Sequence, residues 1–300
     1  MLGMIEVERG DRARAANEEA DAQERYRAAS GHILDNITRL AHENGQDAYF
    51  AHIIRGRLAQ SEARKAEAGA LSASGIPPAA RERWKEARDQ YRRAYALRPR
   101  IRSRLLESIL HIDRRLGDKS AAEADAFAIL REEPANPFAN FVIGTQRMED
   151  AHFDEARTYF ARSYDARGLA SGLELINNYA EALARSADPA DRARAEALAE
   201  DAALRQAPGN YVLRATYALT LALNGKPEQA KETLAQAREI AETRRVPVDP
   251  RIGFVDAWIA VGQGKNVEAK RCLDTLRAAI GADLTPRDRH DLAELQKAIR

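Results

Sequence analysis

Six alanines, Ala87, Ala122, Ala156, Ala195, Ala230 and Ala269, stand 35, 34, 39, 35 and 39 residues apart. A single globular core imposes no such interval, whereas a tandem array of helix–turn–helix units does, because each unit repeats the same contact. Each alanine lies in a similar setting. Five residues earlier comes a small turn-forming residue in four cases, Gly117, Ala151, Gly225 and Gly264. Around the alanines apolar and small residues recur at spacings of three and four: Trp84, Ala87, Tyr91, Ala94, and then Phe153, Ala156, Phe160, Ser163. Ala230, Leu234, Ala237 and Ala269, Leu273, Leu276 repeat the pattern. Such spacing lays the residues along one stripe of a helix. The stripes close at Pro99, Pro134 and Pro208, where proline ends a helix and opens the next unit. A small residue at the heart of each stripe lets two helices joined by a tight turn approach closely.

This pattern resembles the tetratricopeptide repeat, a helix pair about 34 residues long. The best match is residues 137–166, where Gly144 takes the family's small position in the first helix and Phe153, Ala156, Phe160 and Ser163 take those of the second. Residues 215–237 follow, with Ala218, Gly225, Ala230 and Ala237 in register. The resemblance covers roughly residues 80–280. Leu105, Ile109 and Ile112 fit a register one residue off from Gly117, which reads as an insertion in that unit. The SADPAD stretch, 186–191, reads as a longer loop between helices, and a second irregularity falls at Val246 to Pro250. The implied fold is all-α, an α-solenoid of tandem helix–turn–helix repeats wound into a right-handed superhelix.

The chain divides by pattern into four parts. Residues 1–46 form a charged and amphipathic helical segment, in which 5–29 are dense in charge and Ile33, Ile37 and Leu40 mark a helix ending near Asn44-Gly45. Residues 47–99 form an atypical first repeat with an overlong first helix from Asp47 to Ala68, a loop at 71–80 and a second helix over 80–97. Residues 100–281 hold about five repeat-like units. Residues 282–300 form a capping helix opened by Pro286, with Leu292 and Leu295 inward and Arg287, Asp288, Arg289, Glu294, Lys297 and Arg300 giving it a solvent face.

Composition narrows the function. The 300 residues are 45% hydrophobic and 31% charged, which is far from a disordered composition. No apolar run reaches the roughly 18–20 residues of a membrane span. The opening MLGMIEVERG lacks the apolar stretch of a signal peptide, so a cytoplasmic location is expected for the chain as it begins. A signal upstream of it would make the protein periplasmic or membrane-attached. The six histidines, at 32, 42, 52, 111, 152 and 290, form no metal-ligand pair at a recognised spacing. No nucleophile elbow or phosphate-cradling loop occurs. The single Cys272 reads as a packed thiol. Neither an enzymatic activity nor a metal or cofactor is expected.

Two surfaces remain. In tetratricopeptide proteins the first helix of each pair lines the concave groove. Carrying the register across implies groove contacts at Phe141, Thr145 and Met148, at Asn177, Glu181 and Arg185, and at Arg251, Phe254 and Trp258. Asn177, Glu181 and Arg185 run at i, i+4, i+8, so a Glu181–Arg185 salt bridge within the helix is the plainer account of two of them. One branch of the family clamps C-terminal carboxylates with Lys, Asn and Arg. Here Asn177 alone matches that set, and this mode is not expected. The second surface is the basic block from Arg81 to Arg104, with ten Lys or Arg against three acids. Arg92, Arg93, Arg98, Arg100, Arg102 and Arg104 are its densest part, extended by Arg114 and Arg115. Arginine forks suit phosphates and carboxylates, although a net charge of +1 provides no global field for nucleic acid. The expected function is a non-catalytic scaffold that binds another protein, as an extended peptide or a partner helix, in the groove. The alternative is polyanion or nucleic-acid binding through Arg81–Arg115, and self-association through the first 80 residues is a further reading.

Overall fold

The structure, a computed structural model, describes residues 45–69, 75–97, 103–167, 172–281 and 283–299, with scattered helical positions between 6 and 31. The helix read through Ile33, Ile37 and Leu40, parts of the segment 5–29, and Arg98, Arg100 and Arg102 lie outside these residues. Among the described residues there is no strand, and no helix is long and apolar enough to cross a membrane. The chain forms two compact units, residues 1–134 and 135–300.

The first unit contains α1 (Gly45–Gly69), α2 (Pro78–Leu97), α3 (Ser103–Leu116) and α4 (Lys119–Glu132). α1 packs along α2, and α3 pairs with α4 and also touches α2. Trp84, Ala87, Tyr91 and Ala94 are all buried on α2, as their spacing predicts. Gly56 in α1 admits the Tyr91 ring, because a Cβ there would lie 2.5 Å from it. The polar ends of this core are tied too. The Trp84 indole donates to Glu67 at 2.8 Å, and the Tyr91 hydroxyl donates to Gln60 at 3.0 Å. On α3, Leu105, Leu106, Ile109, Leu110 and Ile112 turn inward.

The second unit contains four helix pairs and a last helix. The pairs are α5 (Pro137–Glu149) with α6 (Phe153–Arg167), α7 (Leu173–Ala184) with α8 (Pro189–Glu200), α9 (Tyr211–Leu223) with α10 (Pro227–Thr243), and α11 (Gly253–Gly262) with α12 (Asn266–Ile280). α13 spans Pro286–Ala298. Each first helix packs on its own second helix, and α5, α7, α9 and α11 also touch in succession, which builds an inner layer. Proline opens α5, α8, α10 and α13 at their first turn, where its missing N–H is not needed.

All six recurring alanines are at most 2% exposed. The four turn-formers that precede them share a left-handed conformation, with φ of 76° at Gly117, 65° at Ala151, 74° at Gly225 and 71° at Gly264. This conformation closes each first helix and sends the chain back antiparallel. At Gly144 the reason for a small residue is direct, since a Cβ would stand 2.6 Å from the Phe160 ring. The SADPAD stretch differs from its reading as a long loop. α7 ends at Ala184 and α8 begins at Pro189. Most of the extra residues form a further turn of helix before Ala195, because Pro189 continues the chain as a helix start. α8 then runs on into a π-helical segment, Asp201–Gln206, which the sequence reading does not foresee. The second irregularity falls as read, between the end of α10 and a 3-10 turn at Pro250–Ile252.

Candidate functional site

The inner layer of the second unit is held on its second helices by the alanine stripes, which frees its other face for contact. That face carries a helix already. α13 rests against α5 and α11 and pairs by charge with α7. Arg185, the C-cap residue just past α7, grips Asp291 with two bonds, Nη2 to Oδ2 at 2.9 Å and Nε to Oδ1 at 3.3 Å. Its Nη1 also meets Glu181 at 2.9 Å, the intrahelical bridge expected from the spacing. Glu181 in turn takes Arg287 of α13. Arg251, in the 3-10 turn before α11, holds Asp288 through Nε at 2.9 Å and Nη2 at 2.8 Å. Thr285 caps α13 by a reciprocal bond with Asp288, so one carboxylate serves both the cap and the clamp. Burial alone would raise the Asp288 pKa, but hydrogen bonds from Arg251 and Thr285 outweigh it and hold the group below the usual carboxylate range. Apolar contact is supplied by Leu292 and Leu295, packed with Phe254, Leu273 and Leu276 and flanked by Trp258.

Beside α13 an open cleft of about 720 Å³ remains, lined among others by Phe153, Arg185, Arg192, Trp258, His290 and Asp291. The Phe153 ring forms part of its wall, with the Arg185 guanidinium 4.8 Å and the His290 ring 4.9 Å from its centre. Charge and aromatic surface therefore meet at one place.

The structure distributes the nine groove positions unevenly. Glu181, Arg185 and Arg251 form ion pairs with α13, while Phe254 and Trp258 pack against its leucines. Phe141 and Met148 are buried within the repeat packing, Phe141 with its ring 6.2 Å from that of Phe160. Thr145 donates its hydroxyl to the Phe141 carbonyl. Asn177 is half-buried, with its Nδ2 3.4 Å from Asn178, and its Oδ1 is buried without a hydrogen-bond partner among the described residues. The reading of α13 as a cap with one solvent face needs correction at two residues. Arg287 and Asp288 turn toward the inner layer, because opposite charges on α7 and the 3-10 turn face them there. Arg289 and Lys297 are exposed as read, and Arg300 lies outside the described residues. Sequence reasoning missed Asp291, Phe153 and His290 as parts of this site. The signal for the first was present: Asp288, Asp291, Leu292 and Leu295 stand at i, i+3, i+4, i+7, one helical stripe.

No family model matches the chain, and no curated protein matches it. Among solved structures it is similar along its whole length to a tetratricopeptide repeat protein from Parabacteroides merdae. The two share 13% identity at a TM-score of 0.51, over 99% of this chain and 98% of that one. The chain has the tetratricopeptide-repeat fold. Yeast Tom70 also matches, at 14% identity and a TM-score of 0.44, over 93% of this chain and 52% of that one. So does the APC/C hetero-tetramer Cut9-Hcn1, at 14% identity and 0.45, over 99% and 65%. The fold assignment rests on the first of these together with the tetratricopeptide-like helix pairs described above.

In the first unit, this repeat packing accounts for part of the basic block. Arg92 Nη2 bonds Asp113 at 2.8 Å and Asp125 at 3.0 Å, and Arg88 bonds the same Asp113 at 3.1 Å. Asp113 is wholly buried, so these arginines neutralise an interior carboxylate between tetratricopeptide helices. Arg115 pairs with Glu67. Arg93 and Arg104 are exposed. Among the described residues no group of three or more His, Cys, Asp or Glu is placed to hold a metal. Cys272 is half-buried, and burial first, then Asp256 and Glu268, pushes its thiol above the usual value, which disfavours the nucleophilic thiolate.

Proposed function

We propose that this protein is a non-catalytic interaction scaffold that binds a helical or extended segment of another protein on the inner layer of its second unit. One observation carries the reading: that layer already accommodates a helix, through charged residues placed one or two turns apart and an apolar strip beside them. A surface built this way recognises a helix by its side-chain pattern. The aromatic and arginine-rich wall of the adjoining cleft adds the residue types that anchor protein interfaces. The test uses positions on the inner layer whose bonds, as described above, run within α5 and α7. Thr145→Arg with Asn177→Arg places two long side chains on half-buried sites of α5 and α7. Affinity capture from the native cells, compared between the wild-type chain and this variant at matched helicity, should lose its specific partner. Undiminished capture of the same partner by the variant refutes binding at the inner layer.

A further inference from the structure

The nature of the segment that this layer prefers is written in its present occupant. α13 hangs from the last repeat by a short connection in which Gly281 has φ of 67° and Asp283 is exposed. Two of its leucines are buried with Leu284 and Ile299 packed beside them, the His290 ring meets Phe153, and the rest of its hold on the layer is by charge. The carboxylates involved are almost fully enclosed, Asp288 at 2% and Asp291 at 5% exposure. Each faces an arginine fork that engages both of its oxygens. Such forks read position as well as charge. Arg251 and Arg185 require acids three residues apart, Glu181 requires a cation just before the first, and Phe254 with Trp258 requires leucines at the next positions of the stripe. The open cleft borders Arg185, Trp258 and Asp291, so a competing segment can reach these contacts from solvent while α13 is in place.

We propose that α13 is a resident, displaceable ligand, and that the partner which replaces it is an amphipathic helix with a basic–acidic pair, a second acid three residues on, and leucines at the following i+4 and i+7 positions. In α13 this set is Arg287, Asp288, Asp291, Leu292 and Leu295. The inference rests on the inner-layer reading above and adds the class of ligand and the intramolecular competitor. A tethered segment competes at high effective concentration, so the free groove is populated when α13 lets go or when a partner helix outcompetes it.

Hydrogen exchange on the intact chain tests release directly. The amides of α13 should exchange by local opening, about tenfold or more faster than those of α9 and α11. Equal protection of α13 and α11 makes it an integral part of the repeat core and overturns the proposal. A second measurement uses a fluorescent peptide of residues 283–299. The wild-type chain should leave this peptide free at about micromolar concentrations, and Asp291→Arg, which loosens the resident helix, should capture it. Adding Arg185→Glu to that variant restores an opposite pair with the resident helix and should abolish capture. If Asp291→Arg folds and accelerates exchange in α13 but captures no peptide, the ligand class is wrong. Partner loss by the Thr145→Arg, Asn177→Arg variant is read separately, so the inner-layer function can stand or fall without deciding whether α13 is released.

Discussion

The interior carboxylates of the first unit make a quantitative prediction about pH. Asp125 sits on α4 with its side chain 13% exposed, near the wholly buried Asp113 and under Arg92. Burial raises its pKa, Arg92 lowers it, and the hydrogen bond and charge of Asp113 raise it again, so that it stands at about 6 against an ordinary 3.8. A group whose pKa is higher in the folded chain binds more protons there than in the unfolded chain between these two values. Its contribution is therefore fully present below pH 3.8 and is lost as pH rises through 6. The shift corresponds to about 3 kcal/mol as an upper bound. Asp125→Asn mimics the protonated acid, because the amide oxygen still accepts from Arg92 and the amide nitrogen can donate to Asp113. The variant should exceed the wild type by up to about 3 kcal/mol at pH 7.5, and by roughly half of that at pH 5, where the wild-type carboxyl is largely protonated. Each unit has one tryptophan, Trp84 and Trp258. Urea denaturation followed by Trp84 fluorescence in a Trp258→Phe background thus reports the first unit alone. A variant no more stable than the wild type at pH 7.5, or a difference that does not shrink on acidification, refutes the assignment of a raised Asp125.

Two further predictions concern the repeat geometry. Ala151 holds a left-handed turn that glycine fills at three other repeat turns, Gly117, Gly225 and Gly264. Relief of about 1–2 kcal/mol of strain, set against about 0.4–1 kcal/mol of added unfolded-state entropy, predicts that Ala151→Gly stabilises the second unit modestly in Trp258-monitored denaturation, and a destabilised variant counts against the turn assignment. Gly144→Ala crowds the Phe160 ring, at a cost of about 1–3 kcal/mol that exceeds the roughly 1 kcal/mol gained in helix propensity. Phe160→Leu should relieve that crowding, giving a coupling of about 0.5 kcal/mol or more in a double-mutant cycle, whereas strict additivity removes the close approach as the reason for Gly144.

The legible part of this molecule was its local repetition. Ala156, Gly144 and the turn at Gly225 each answer a contact made within 40 residues of sequence, so spacing alone exposes them. The pairing of Arg92 with Asp113 and Asp125 was not visible, because a basic block and scattered acids look alike whether they face solvent or one another. Arg185 shows the same limit more sharply. Register places it on the inner layer, but its partner Asp291 lies 106 residues away, on a helix whose position no repeat dictates. The reading of α13 as a cap with a polar outer face also assumed that charged residues seek water. Asp288 and Asp291 are buried instead because bidentate arginines replace their hydration.

That replacement explains what the ion pairs can and cannot do. Burying Leu292 and Leu295 contributes about 1.5–3 kcal/mol each, while fixing the backbone of a helix of this length costs about 1–2 kcal/mol per residue before its own hydrogen bonds and contacts offset it. Enclosed ion pairs add little net stability, since the desolvation of each charge nearly cancels the attraction. They discriminate, however: a helix that brings a lysine or a leucine to the place of Asp291 leaves the enclosed Arg185 with only Glu181, which Arg287 already shares, as counter-charge, and that penalty falls on the wrong ligand alone. The contacts between α13 and the inner layer therefore favour selectivity over tenacity. On the proposed reading, tethering keeps the resident helix in place at a modest intrinsic affinity, and the same modesty leaves the layer open to a better-matched helix from outside.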